Sequence, residues 1–114
     1  MSSETPGYVS QIRDAVFDAD TFAGLTASGK QHGSDPLWVK ATVRSIEIHG
    51  ILHYQVSYFD GKQGVYKNYE AERFGKVLDT LLSSGFSNFH VQSEAGDLHV
   101  RITKRGKVLI SRGR

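Results

Sequence analysis

Five histidines are the residues of this 114-residue chain that most directly suggest chemistry. His49 and His53 are four residues apart, but they fall in a predicted hairpin, so they do not share a face as two helical zinc ligands would. His90 and His99 fall on neighbouring predicted strands, where we expect them to be diagonal neighbours on one sheet face. We identify no acidic residue or third histidine close in sequence that would complete a ligand set with either pair. The pattern is typical of half-exposed strand histidines, and we predict no metal site.

Other catalytic patterns are absent from the sequence. There is no cysteine, which excludes a disulfide, a thiolate metal site and a cysteine nucleophile. No serine lies in a nucleophile-elbow motif, and no glycine-rich segment matches a phosphate-binding or dinucleotide-binding loop. Acidic residues such as Glu70 and Asp97 are accounted for by a helix start and a turn. We therefore predict no catalysis and no cofactor, and keep a small enzyme built on His90 or His99 as the least favoured alternative.

The charge distribution is more informative than the net charge of +2. Residues 1–100 contain eight basic and twelve acidic residues, whereas residues 101–114 contain six basic residues and no acidic one. The sequence pI near 9.0 therefore comes from the last segment of the chain. Such asymmetry indicates either a polyanionic partner or a solvated tail.

Strand alternation places many of the basic side chains on the face of the sheet that would not be buried. Cations can contact phosphates there, and Phe59 and Tyr66 offer stacking surfaces, as in recognition of RNA. The candidate nucleic-acid-binding residues are Lys40, Arg44, Phe59, Tyr66, Arg101, Lys104, Arg105, Lys107 and Arg112. The alternative is an ordinary solvated face of an antiparallel sheet.

An apolar group falls near one end of the same face. It consists of Trp38, Ile46, Ile48 and Ile51. We expect the N-terminal helix to cover it, and the alternative is an interface patch.

The elements that must position these residues follow from hydrophobic periodicity. Helical spacing predicts a short helix over residues 8–19, and residues 22–28 suit a strand. The alternating segments 39–43 and 52–58 flank His49-Gly50, which predicts a hairpin with a two-residue turn. In that register Val43 faces Val56.

The second half of the chain reads as a helix followed by two hairpins. An apolar stripe through Phe74 and Leu78 predicts a helix over about 69–84, capped by Asn68. Phe89 is then expected to face Ile102 across an Ala95-Gly96 turn. A three-residue loop ending at Gly106 places Val108 and Ile110 on the core side. The predicted fold class is α+β: a mostly antiparallel sheet of five to seven strands, with the main helix on one face and a short N-terminal helix.

The chain length fits a single domain. We expect a disordered N-terminus over residues 1–7, the domain over 8–112, and a C-terminal end at 113–114 that starts a linker. No apolar run approaches the roughly 20 residues needed to span a bilayer, and the N-terminus lacks the pattern of a signal peptide. We therefore expect a cytoplasmic protein with no membrane partner.

Several segments together resemble one protein family. They are Trp38-Val39-Lys40, Val43-Arg44, Tyr58-Phe59-Asp60-Gly61, Lys67-Asn68-Tyr69, His90-Val91-Gln92, Gly96-Asp97-Leu98 and Val100-Arg101-Ile102-Thr103-Lys104. Residues 38–112 resemble the N-terminal accessory region of bacterial and plant proteins whose C-terminal half is a class I, S-adenosylmethionine-dependent methyltransferase domain. The resemblance implies a non-catalytic accessory domain, with any methyl transfer in a separate C-terminal domain, because 114 residues cannot hold the doubly wound catalytic fold.

The resemblance and the charge pattern together predict an accessory domain that binds a substrate, expected to be RNA, through a basic sheet face. The alternative is a protein-interaction or dimerisation module with no role in nucleic-acid binding.

Overall fold

A computed structural model of the chain describes residues 7–29, 40–59, 63–83 and 85–113. These ranges contain two helices and seven strands, and they confirm the predicted α+β class. The elements are α1 (Gly7–Val16), β1 (Phe22–Ser28), β2 (Lys40–Ile48), β3 (Ile51–Phe59), β4 (Gly64–Glu70), α2 (Ala71–Leu82), β5 (Asn88–Ser93), β6 (Asp97–Ile102) and β7 (Val108–Gly113). Neither helix is long and apolar enough to cross a bilayer.

The seven strands form one sheet in the order β4-β3-β2-β1-β5-β6-β7, and all neighbours are antiparallel. β1 lies at the centre because it pairs with β2 on one side and β5 on the other. Two three-stranded meanders therefore flank β1, and α2 connects them. Both helices pack on one face of the sheet, which leaves the opposite face uncovered by them.

The β2–β3 hairpin has the predicted register. Val43 pairs with Val56, and Ile48 pairs with Ile51. The turn residues His49 and Gly50 have φ values of 53° and 78°. Two successive left-handed residues define the tight turn whose twist matches that of the flanking strands.

The β5–β6 hairpin differs from the prediction by two residues. Phe89 pairs with Val100 rather than Ile102, and His90 pairs directly with His99. The turn lies one residue earlier than expected, because the Gly96 N–H donates to the Ser93 carbonyl and Gly96 takes a φ of 126°. A shift of two residues keeps every side chain on its predicted face, since the side-chain period of a strand is two.

The core lies between the helices and the sheet. Eighteen hydrophobic residues of the described chain are buried there, and no described polar or charged residue is buried. Phe74 of α2 stacks on Tyr54 of β3, with ring centroids 4.6 Å apart. From α1, Ile12 and Val16 are fully buried in the same cluster. Packing of these apolar faces supplies most of the helical stability.

The start of α2 differs from the prediction. Asn68 pairs with Gln55 as part of β4, so it cannot cap the helix. The helix begins at Ala71, and the cap residue Glu70 makes no side-chain capping hydrogen bond. The strand continues directly into the helix, and pairing with β3 outweighs the capping preference of Asn68.

The N-terminal helix does not cover the apolar group at the end of β2 and β3. Tyr8 of α1 stacks on Phe89, which places α1 on the face of the sheet that packs against the helices. Strand alternation puts Ile46, Ile48 and Ile51 on the opposite face. Ile51 consequently remains 51% exposed. Trp38 lies outside the described residues.

The β6–β7 hairpin has the predicted three-residue loop. The Thr103 N–H donates to the Lys107 carbonyl, and Gly106 has a φ of 84°. Val108 and Ile110 lie on the helical side, as expected, but they remain 37% and 41% exposed. The reason is that α1 packs mainly on β1 and β5, and α2 on β3 and β4, so neither helix shelters β7.

Candidate functional site

The sheet face opposite the helices, here called the open face, is polar across its full width. Pairing between neighbouring strands produces one continuous transverse row on it. From edge to edge this row is Tyr66, Ser57, Thr42, Thr26, His90, His99 and Ser111. Hydroxyls and imidazoles can both donate and accept hydrogen bonds, so the row offers a ligand a varied polar surface.

Cations gather at one end of the open face. Lys40 and Arg101 lie in the same transverse row, because Lys40 pairs with Ser28, Ser28 with Asn88, and Asn88 with Arg101. The tip of the β6–β7 hairpin continues from this end. The cationic end is defined as Lys40, Arg101, Lys104, Arg105 and Lys107, all exposed. None of the described residues in that row or at that hairpin tip is acidic.

Arg44 lies on the open face beyond the polar row, away from the cationic end. Its Nε donates a hydrogen bond to Oε1 of Gln55 on the adjacent strand, at 3.1 Å. Arg44 remains exposed with this contact in place. The face therefore carries a cation on each side of the polar row.

Tyr66 is the predicted stacking residue that the structure places on the open face. Its side chain is 71% exposed on the edge strand β4. A shallow depression of about 340 Å³ lies beside it, and Lys40 and Thr42 also line that depression. The side chain of Phe59, the other predicted stacking residue, lies outside the described part of the structure.

Arg112 does not join the other candidate residues. It pairs with Leu98, which is buried on the helical face. Its guanidinium donates to Oε1 of Gln11 in α1, at 3.0 Å. Alternation along β7 explains this placement, since the residue lies four positions beyond Val108 and shares its face.

A groove of about 700 Å³ opens on the β5–β7 half of the open face. Its walls combine the imidazoles of His90 and His99, the Arg101 guanidinium, the hydroxyls of Thr26 and Ser111, and the apolar Leu109. The groove is open to solvent, and its walls combine polar and apolar side chains. Such a surface suits an extended polar ligand better than a small apolar molecule.

His90, His99 and Asp97 form a compact cluster at the groove. The two imidazole rings stack with centroids 4.1 Å apart and an interplanar angle of 16°. Nε2 of His90 donates to Oδ2 of Asp97 at 3.0 Å, and the Ser93 N–H donates to Oδ1 at 3.2 Å. The hydrogen bond from His90, then that from Ser93, hold the pKa of the Asp97 carboxyl below its usual range. Asp97 therefore stays ionised beside two imidazoles.

Sequence reasoning assigned Asp97 to a turn and did not connect it with the histidines. The available signal is the Asp97-Leu98-His99 spacing, because residues two apart on a strand share a face. Placing His90 beside them requires the correct β5–β6 register. A turn at Ala95-Gly96 gives a register that is wrong by two residues.

Comparison with known proteins gives no relative. No family model matches the chain, and no curated protein or solved structure matches it significantly.

Proposed function

We propose that this chain is a non-catalytic domain that binds single-stranded RNA across the open face of its sheet. The observation that carries the proposal is the cationic end. Five exposed basic side chains lie there, and no acidic residue is described in that row or hairpin tip. Phosphates neutralised by such a group release their counterions, which is the main source of affinity for nucleic acids.

The rest of the open face complements that charge. The polar row can hydrogen-bond to unstacked bases, and Tyr66 offers a ring for one of them. Arg44 supplies a further cation across the row. Single-stranded RNA fits better than a duplex, because only unstacked bases expose their edges and faces to a flat sheet.

The resemblance of residues 38–112 adds a second part to this proposal. The domain would hold the substrate of a class I, S-adenosylmethionine-dependent methyltransferase domain. The reaction and its cofactor would belong to that partner domain, and this chain would supply positioning alone.

The test is a binding titration of the whole chain with a fluorescein-labelled single-stranded RNA of about 20 nucleotides. Anisotropy at several salt concentrations gives the slope of log K against log salt, to which each phosphate contact on a single strand contributes about −0.7. Arg101→Gln and Lys104→Gln should each weaken binding and reduce that slope.

Arg112→Gln is the matched control, because Arg112 belongs to the same basic segment but lies on the helical face. If Arg112→Gln and Arg101→Gln reduced RNA affinity equally, the RNA would be attracted by net charge alone. Binding that is absent at low salt, or insensitive to salt, would contradict the proposal.

A second candidate function is a protein-interaction module. The observation that favours it is Ile51, which is 51% exposed at the β2–β3 tip, beside the partly buried Ile46 and Ile48. Light scattering coupled to size-exclusion chromatography tests self-association. A dimer that becomes monomeric in Ile51→Lys supports this function, whereas a monomer at high concentration contradicts self-association.

A further inference from the structure

The strands β5 and β6 bring three metal-ligating side chains together. His90 comes from β5, and Asp97 and His99 come from β6, two positions apart on the same face. One ligand atom from each residue lies within 4.8 Å of the other two. We propose that His90, Asp97 and His99 form a binding site for a divalent transition-metal ion of the Zn²⁺ class.

The spacing of the first two ligand atoms suits an ion. Nε2 of His90 and Oδ2 of Asp97 are 3.0 Å apart. Two ligands at about 2.0–2.1 Å from Zn²⁺ are about 2.9–3.4 Å apart for bond angles between square and tetrahedral. The ion would take the place of the proton that now lies between these two atoms, so little backbone movement is needed.

The third ligand atom belongs to His99 and lies within 4.8 Å of the other two. The imidazole of His99 lies directly against that of His90, with ring centroids 4.1 Å apart. His99 is exposed, and none of the described residues hydrogen-bonds to its ring. A rotation of the His99 side chain would let one nitrogen of each ring direct its in-plane lone pair at a single ion.

The surroundings hold the ligands in position. The Ser93 N–H donates to Oδ1 of Asp97, which orients the carboxylate so that Oδ2, the atom next to His90, is the one that would bind the ion. All three ligands lie on paired strands, and β5 adjoins the central strand β1. Ligands on strands are held more precisely than ligands on loops.

Three protein ligands leave at least one coordination position open. The groove lined by Thr26, Arg101 and Ser111 also has His90 and His99 in its walls, so a ligand in the groove would have access to this open position. A water molecule or an anionic group can occupy it, as in zinc sites with three protein ligands. His90 and His99 also belong to the polar row, but Zn²⁺ binding is measured without RNA, so the metal site is tested separately from the proposed RNA binding.

Metal binding can be measured directly on the whole chain without an affinity tag. Calorimetric titration with ZnCl₂ should show one ion per chain, and CoCl₂ should produce visible absorption bands of bound Co²⁺. His99→Ala and Asp97→Asn should each weaken Zn²⁺ binding by about ten-fold or more. Asn retains an oxygen for the Ser93 N–H, so Asp97→Asn removes the charge while leaving the turn contact possible.

His53→Ala is the matched control, because His53 is a partly buried histidine on the open face whose Nδ1 lies 2.9 Å from the Ile51 carbonyl oxygen. It should bind Zn²⁺ like the unmodified chain. Zn²⁺ should also raise the melting temperature of that control but not of His99→Ala. Circular dichroism of the metal-free variants separates lost binding from lost folding.

Three results would overturn the proposal. They are no saturable Zn²⁺ binding, binding that His99→Ala and Asp97→Asn leave unchanged, and equal weakening by His53→Ala. Each of these results is independent of the RNA titration, so the metal site and the proposed function can fail separately.

Discussion

The phenol of Tyr54, on β3, donates a hydrogen bond to the backbone carbonyl of Val16 at the end of α1, at 3.0 Å. The last turn of a helix leaves carbonyls without partners inside the helix. Tyr54 satisfies one of them from the sheet, and its ring also stacks on Phe74 of α2. One side chain thus joins the sheet to both helices.

Tyr54→Phe removes this hydrogen bond and leaves a buried carbonyl without its partner. We expect the free energy of unfolding to fall by about 1–3 kcal/mol. Urea denaturation followed by circular dichroism measures the change. Tyr66→Phe is the control, because that hydroxyl is on an exposed side chain, and it should change stability by less than about 0.5 kcal/mol. Equal stability of Tyr54→Phe and the unmodified chain would contradict this role.

Alkaline pH should destabilise the domain through the same residue. Burial raises the pKa of the Tyr54 phenol above its ordinary value. The folded state therefore keeps this proton more tightly than the unfolded state, so the stabilisation is complete below about pH 10 and is lost as the pH rises through the folded pKa. Denaturation at about pH 8 and about pH 11 should show a larger loss for the unmodified chain than for Tyr54→Phe. Parallel losses would show that other groups cause the alkaline effect.

The packing of α2 depends on Phe74, which is fully buried. Phe74→Ala should cost about 3–5 kcal/mol, a large part of the stability of a domain of this size. Phe74→Leu keeps most of the volume and should cost less, so it remains measurable if the alanine variant does not fold. Thermal and urea denaturation give both values. A Phe74→Ala variant as stable as Phe74→Leu would show that the buried volume at this position is unimportant.

The parts of the fold that the sequence predicted depend on local patterns. The β2–β3 register follows from a two-residue turn and strict alternation, and both act within a few residues. The β5–β6 register was wrong because the glycine lies just after the turn rather than inside it. The predicted helix start at Asn68 was also wrong. Asn68 is a good capping residue, but its pairing with Gln55 keeps it in strand β4.

The candidate site was predictable only in part, for a related reason. Alternation alone placed Lys40, Arg44 and Arg101 on one face, and the structure agrees. Arg112 was grouped with them because of its charge, although strand alternation places it on the helical face, opposite Leu98. The His90–Asp97 contact depends on the β5–β6 register, which the misplaced turn shifted by two residues.

Two glycines with positive φ should differ in how much they tolerate a side chain. At Gly106, with a φ of 84°, a Cβ would meet nothing within 4 Å. At Gly29, with a φ of 109°, a Cβ would overlap Oγ of Ser87. Gly106→Ala should therefore lower the free energy of unfolding by only about 1–2 kcal/mol, the strain of a side chain in the left-handed conformation. Gly29→Ala should lower it by more. Denaturation midpoints rank the two, and the reverse order would contradict this account.

Tyr66 should contribute to RNA binding by stacking and not by charge. Tyr66→Ala should weaken binding by about 1–3 kcal/mol without changing the salt slope, and Tyr66→Phe should bind like the unmodified chain. Anisotropy titrations at two salt concentrations measure both effects. A loss of the same size in Tyr66→Phe would assign the contribution to the hydroxyl instead.

The lack of helical cover over β7 makes the sheet unevenly rigid. Val108 and Ile110 gain little from burial, so the outer hairpin should open at a lower free energy than the strands around β1 and exchange its amide hydrogens first. Lys104, Arg105 and Lys107 are carried by this most readily opened part of the sheet. A polyanion that spans from Lys40 to the hairpin tip would hold β7 against its neighbours, so ligand binding would slow hydrogen exchange at the far edge of the domain.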